Sequence, residues 1–106
     1  MRIRKDFGID KEEIELIASV SDALGHPARV EIFRFIYKAN SSREEVCNKT
    51  LVENFDYAQA TISQHVKKLT DSGLLEIKKV ATSNFYYVNI GILSKYLNAV
   101  KKLNQL

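Results

Sequence analysis

Gln59, Ala60, Thr61, Ser63, Gln64, Lys67 and Lys68 crowd into the stretch 59–68. Their side chains suit one kind of chemistry. An amide pairs a donor with an acceptor and matches an adenine edge, a hydroxyl reaches a base or a phosphate, and a small residue such as Ala60 permits close approach to a thymine methyl. Lysines neutralise phosphates. Lys78, Lys79, Thr82, Ser83 and Asn84 repeat the basic and polar pattern a short way on. The pattern predicts hydrogen-bonded contact with duplex nucleic acid, not bond making; for the helix alone, a plain solvated surface is the competing reading. One cysteine, two histidines and no clustered carboxylates supply no set of nucleophile, base and orienting group, so an enzyme is not expected.

These residues need elements to hold them. Residues 57–69 read as a helix: at about 100° per residue, Val66 and Leu69 fall within roughly 40° of Ile62, which makes those three the anchored side. Ala60, Gln64, Lys67 and Asp71 then point away, with Thr61, Ser63 and Lys68 on the flanks and Gln59 near the amino end. Asp56, with Gln59 three residues on, is the expected cap, and the helix should run to about Asp71 before Gly73 ends it. Leu75 to Val80 and Phe85 to Asn89 read as strands joined by Ala81-Thr82-Ser83-Asn84. A polar helix followed by a two-stranded wing fits a major groove, with the wing on the backbone or in the minor groove.

Upstream, Ile14, Ile17, Val20 and Leu24 define a first helix capped by Asp10 and stopped by Gly25, with Glu12 and Glu13 in its first turn. Pro27 opens a second, whose expected core set is Val30, Ile32, Phe33, Ile36 and Tyr37. Asn40-Ser41-Ser42 reads as a turn. Ser42 with Glu45 has capping-box spacing, so a third helix should begin near Arg43, although Asn48-Lys49-Thr50 allows an interruption or restart. The last helix starts at Ile90, with Leu93, Leu97, Val100 and Leu103 at helical spacing through to Leu106.

A length of 106 residues predicts one domain spanning 1–106, small enough that a second subunit is a natural source of further burial. The terminal helices, near 11–24 and 90–104, carry apolar stripes suited to a symmetric homodimer; the alternative is that both fold over their own core. The hydrophobic share of 45% and charged share of 27% are those of an ordinary globular chain. Neither a bilayer-spanning run nor a signal-peptide pattern is present, and a cytoplasmic location is expected. The net charge of +3 is uneven: residues 1–25 hold four basic and six acidic side chains, whereas 90–106 hold three basic and none acidic. A single cysteine excludes an internal disulfide.

The stretch Ala23-Leu24-Gly25-His26-Pro27-Ala28-Arg29-Val30, together with Gln59 to Val88, resembles the ArsR/SmtB family of winged helix-turn-helix repressors. Gln59, Ile62, Ser63, His65, Val66, Gly73, Leu74, Tyr86 and Tyr87 stand at that family's motif positions. The resemblance implies a mainly α fold with a small β-hairpin, a winged helix-turn-helix with terminal dimerisation helices, and a DNA-binding transcriptional repressor acting on an inverted-repeat operator. Half-sites would then lie about 34 Å apart. Three departures matter. Ala58 replaces the usual capping serine, which makes Asp56 the substitute; Asn84 stands where the wing arginine is expected; and the helix-three thiolate pair and the carboxyl-terminal histidine and aspartate ligands are missing. No metal site and no cofactor are therefore expected.

Three residues have competing readings. His65, about 60° from the inward direction, is either a DNA contact or a structural residue at the core edge, and lacks clustered partners for a metal. Cys47 is either a redox-sensitive thiol near Lys49 or a small packed side chain, the simpler reading. His26 is most simply a helix-entry residue. The whole pattern points to a dimeric regulator binding double-stranded DNA; a winged-helix module that binds proteins and no DNA is the alternative, motivated by the modest charge.

Overall fold

In a computed structural model of the protein, residues 8–105 are described. Residues 1–7 and Leu106, read from the sequence as part of the same domain, lie outside the described residues. The elements are α1 (Lys11–Ala23), α2 (Pro27–Ser41), α3 (Asn48–Asn54), α4 (Gln59–Asp71), β1 (Leu75–Val80), β2 (Ser83–Val88) and α5 (Ile90–Lys101), with a 3-10 turn over Lys102–Asn104. The fold is mainly helical with one antiparallel hairpin, a winged helix-turn-helix.

α1 begins as its sequence dictates: Asp10 Oδ1 accepts from the Glu13 N–H at 2.8 Å, and Glu13 Oε1 accepts from the Asp10 N–H at 3.2 Å. Gly25 follows its end for want of space. A Cβ there would lie 3.2 Å from the carbonyl oxygens of Ser21 and Asp22. His26 then caps α2, its Nδ1 accepting from the Ala28 N–H at 3.1 Å, and Pro27 takes the first position, where its missing N–H costs nothing.

The buried stripe of α2 is Ala28, Ile32 and Ile36, spaced four apart. Val30 and Tyr37, expected in the core, are 46% and 41% exposed. They lie roughly 140–160° around the helix from Ile32, so the expected set had joined two faces.

Helix three does not begin near Arg43. α2 continues through Ser41, Ser42 is its C-cap, and Arg43 adopts φ 60 just beyond it. The Arg43 N–H reaches Asn40 O at 3.0 Å and the Glu44 N–H reaches Ala39 O at 2.8 Å, the paired bonds of a Schellman ending. Ser42 is thus spent on closing one helix and does not open another. Residues 44–47 instead run beside the wing: the Tyr86 N–H donates to Val46 O at 2.8 Å, and Cys47 bridges Phe85. The restart that Asn48-Lys49-Thr50 allowed is where α3 forms.

α4 also starts differently from expectation. Its N-cap is Ala58, with no side-chain cap bond; Asp56 does not serve. The chain enters extended through Ala58, which makes Gln59 the first helical residue, whereas a box from Asp56 requires it to be the third. Gly73, at φ +87, ends the helix with its N–H on Thr70 O at 3.0 Å, a conformation glycine takes without a Cβ penalty.

The core joins Val20, Ala23, Ile32, Ile36, Val46, Leu51, Ile62, Val66, Leu69, Leu74, Leu75 and Tyr86. Asn40 ties the wing to α2: its Oδ1 accepts from the Val88 N–H at 2.9 Å. α5, capped by Asn89, returns antiparallel to α1, with Tyr96 hydroxyl 3.0 Å from Ser21 Oγ and Lys102 Nζ 2.7 Å from Glu13 Oε2.

The hairpin loop is Ala81-Thr82 alone, since Ser83 and Asn84 already pair with Val80 and Lys79 as part of β2. Ala81 takes φ 56. A positive φ at the first of two loop residues is a place hairpins usually give to glycine. Ala81→Gly should therefore stabilise the protein by about 0.5–1 kcal/mol, the relief at positive φ exceeding the added freedom of the unfolded chain. A thermal melt checks this; a lowered midpoint contradicts the turn geometry.

Candidate nucleic-acid interface

α3, the turn 55–58 and α4 form the helix-turn-helix, and α4 divides as its periodicity requires. Ile62, Val66 and Leu69 are buried, whereas Gln59, Ala60, Ser63, Gln64, Lys67 and Lys68 are exposed on one continuous surface. Thr61, on the flank, is half-buried. With no side-chain cap at Ala58, the first-turn N–H groups of α4 open outward beside these residues, where the helix dipole favours an anion. Lys67 Nζ meets Asp71 Oδ2 at 2.9 Å, an exposed pair one turn apart that adds little stability.

The wing presents Lys78, Lys79, Thr82, Ser83 and Asn84, all exposed. Strand alternation separates the two lysines. Lys79 pairs with Asn84 and Lys78 with Phe85, so the two lysines stand on opposite faces of the hairpin and can reach a backbone from either side of the wing.

One cluster escaped the sequence reading. Arg29, early in α2, donates from Nε to Ala23 O at 2.6 Å and from Nη2 to Asp22 O at 3.5 Å, taking up carbonyls at the end of α1. Its Nη1 lies 3.2 Å from His65 Nδ1 on α4. Since a guanidinium only donates, His65 accepts through Nδ1 and carries its proton on Nε2. His26 and Tyr57 flank the imidazole, with ring centroids 4.8 and 6.2 Å away. Arg29 lies in the stretch Ala23 to Val30 that carries the family resemblance, but nothing local linked it to a residue 36 positions on.

Burial, then the proximity of His26 and Arg29, lowers the His65 pKa below its ordinary 6.5. The folded protein thus prefers neutral His65, and the unfolded chain takes up the proton first. The resulting stability is complete above pH 6.5 and is lost as the pH falls from there through the lowered value. Urea midpoints should fall over that window in the wild type and fall less in His65→Gln. Parallel curves would remove His65 as the cause.

Cys47 caps α3 with its thiol 3.4 Å from Thr50 Oγ1, and that hydrogen bond lowers the thiol pKa. Burial, followed by the nearby Cys47, raises that of Tyr86. Among the described residues, no three His, Cys, Asp or Glu side chains are placed to hold a metal ion. No helix of the described residues is long and apolar enough to cross a membrane.

A core-anchored second helix with a polar outer face, followed by a hairpin, defines a winged helix-turn-helix protein. Residues 24–78 match a family model described as a helix-turn-helix domain. The arsenical resistance operon repressor of Staphylococcus aureus is 29% identical over 84% of this chain and 84% of its own length. Its Staphylococcus xylosus namesake is 30% identical over 77% of this chain and 73% of its own. The fold is similar to that of an ArsR-like transcriptional regulator from Rhodococcus, with a TM-score of 0.72 at 23% identity, covering 85% of this chain and 80% of that one. The chain belongs to the ArsR-type family of helix-turn-helix transcriptional regulators.

Proposed function

We propose that the protein is a homodimeric, sequence-specific regulator of double-stranded DNA, a repressor that occupies an inverted-repeat operator and works without the usual thiolate or carboxyl-terminal metal sites. The observation that carries this reading is the exposed polar face of α4, backed by a fully buried one. Gln59, Ser63 and Gln64 read bases, and Ala60 lets the helix approach them. Thr61, Lys67 and Lys68 hold the backbone, joined from the wing by Lys78, Lys79, Thr82, Ser83 and Asn84. The repressor names of the staphylococcal relatives support the direction of control. Their arsenical context is not carried over, because Cys47 is the chain's one cysteine.

Dimerisation is supported by what the single chain leaves open. Ile90, Leu97 and Leu103 are 58%, 50% and 64% exposed even with α5 packed on α1. One apolar face of the terminal helices serves the chain's own core, and this second one awaits another copy.

Gln64→Ala should cost about 1–3 kcal/mol at the preferred site and relax specificity there, whereas Lys68→Ala should weaken preferred and random duplexes alike. Fluorescence anisotropy on both duplexes, across a salt series, measures this. Equal losses on both sequences in both variants would overturn the division of roles. Absence of duplex binding even at low salt would replace the whole reading with a protein-interaction module.

A further inference from the structure

The DNA-binding reading gives α4 and the wing their contacts but leaves the amino end of α2 without a role. That end carries a built cationic recess. Arg29, Gln64, His65, Lys67, Lys68 and Asp71 line an open cleft of about 360 Å³ beside the base-reading face. Within it the charges are not balanced. Lys67 is answered by Asp71 at 2.9 Å, whereas neither Arg29 nor Lys68 has a carboxylate partner among the described residues.

Arg29 differs from a surface lysine in one decisive respect, because its guanidinium is already immobilised. Two carbonyl oxygens from the end of α1 and Nδ1 of His65 hold it, and these are neutral groups that leave its charge intact. A guanidinium has five N–H donors, so two remain beyond the three contacts. A fixed, half-buried cation with free donors recognises an oxyanion without the entropy cost of ordering a flexible chain. Lys68 adds a second charge, and Gln64 stands at the rim, so whatever occupies the cleft lies beside a residue proposed to read a base.

From these features the geometry points to a seat for a single backbone phosphate of the DNA duplex, gripped by Arg29 and Lys68, with His65 orienting Arg29 from α4. This deepens the reading above and rests on it. The seat fixes how deeply α4 enters the groove, because it couples a backbone position to α2 as well as to the helix that reads bases. Arg29 also joins the end of α1 to α4, so the phosphate meets a point where three helices converge.

The test is the salt dependence of duplex binding by Arg29→Gln and Lys68→Gln, with Lys38→Gln, at the opposite end of α2, as the control. Loss of one phosphate contact per subunit should lower the slope of log K against log salt by about 0.9 on a half-site, and by about 1.8 for the homodimer on its full operator, in each cleft variant and by nothing in the control. The loss should be alike on preferred and random duplexes. A scan of single neutral methylphosphonate linkages should then find one position in each half-site that weakens the wild type and weakens either variant less.

Unchanged slopes in folded variants, with wild-type binding intact, overturn the seat and spare the regulator. No wild-type binding at all overturns the regulator reading instead. Should Arg29→Gln fail to fold, Arg29→Lys takes its place in the linkage scan, because Lys68 already holds the backbone in the reading above and Lys68→Gln alone does not report on Arg29. A further arm titrates inorganic phosphate against the free protein at matched chloride ionic strength, following the His65 imidazole by NMR. Saturable binding there, with no such linkage in the scan, would make the cleft a free-phosphate site and overturn the backbone assignment.

Discussion

Ile62→Ala should destabilise the protein by roughly 2–5 kcal/mol, out of a total of about 5–15 for a domain of this size. Ile62 is 0% exposed, and it lies in the core cluster with Val66 and Leu69 of its own helix and Ile32 and Ile36 of α2. Removing most of its side chain forfeits the burial and leaves a space that a four-residue-spaced aliphatic stripe is poorly able to refill. Its neighbour Ser63 is the built-in comparison. Exposed on the outer flank, it should cost no more than about 0.5 kcal/mol as Ser63→Ala while weakening the preferred duplex. Urea unfolding measures the first effect, as a fall in midpoint at constant slope, and anisotropy measures the second. A cost below about 1 kcal/mol for Ile62→Ala would mean that α4 is not seated as described.

That contrast shows which parts of the structure were legible in the chain. The two sides of α4 could be assigned from spacing alone because its apolar residues are few and fall on one narrow stripe. On α2 the same rule misplaced Val30 and Tyr37, since apolar residues occur on both sides of that helix and periodicity does not say which side another element covers. The start of α3 was hidden by a competition that local rules do not rank: Ser42 could open a helix or end one, and the Schellman bonds of Arg43 and Glu44 decided for the ending. The wing loop read long because Ala81 and Thr82 carry no turn signature; a positive φ at an alanine is visible only in the fold. Of the candidate site, the α4 residues were legible as a set. The Arg29 and His65 contact was not, being tertiary and joining residues 36 apart.

Leu97→Glu should convert the protein to a monomer with a folded domain and lower operator affinity by a factor on the order of 10² to 10⁴. The reasoning starts from geometry: Ile90 and Leu97, seven residues apart, lie within about 20° of each other on α5, and both are more than half or about half exposed, at 58% and 50%. The inward side of the helix is filled by others. Ala99 is buried, and Ile92, Leu93 and Tyr96 pack against the core. A glutamate at 97 therefore disturbs little within the chain and keeps a good helix former in place, but it sets a charge in the centre of the face a second copy would cover. In a dimer, binding one half-site brings the second recognition helix to its groove at a high effective concentration; a monomer loses that gain at every operator. Light scattering reports the mass and circular dichroism the fold, while anisotropy on full and half operators reports affinity. Half-site binding should be nearly unchanged and full-site binding should collapse towards it. A variant that stays dimeric, or a wild type that is monomeric at working concentration, would end the assignment of this face to self-association.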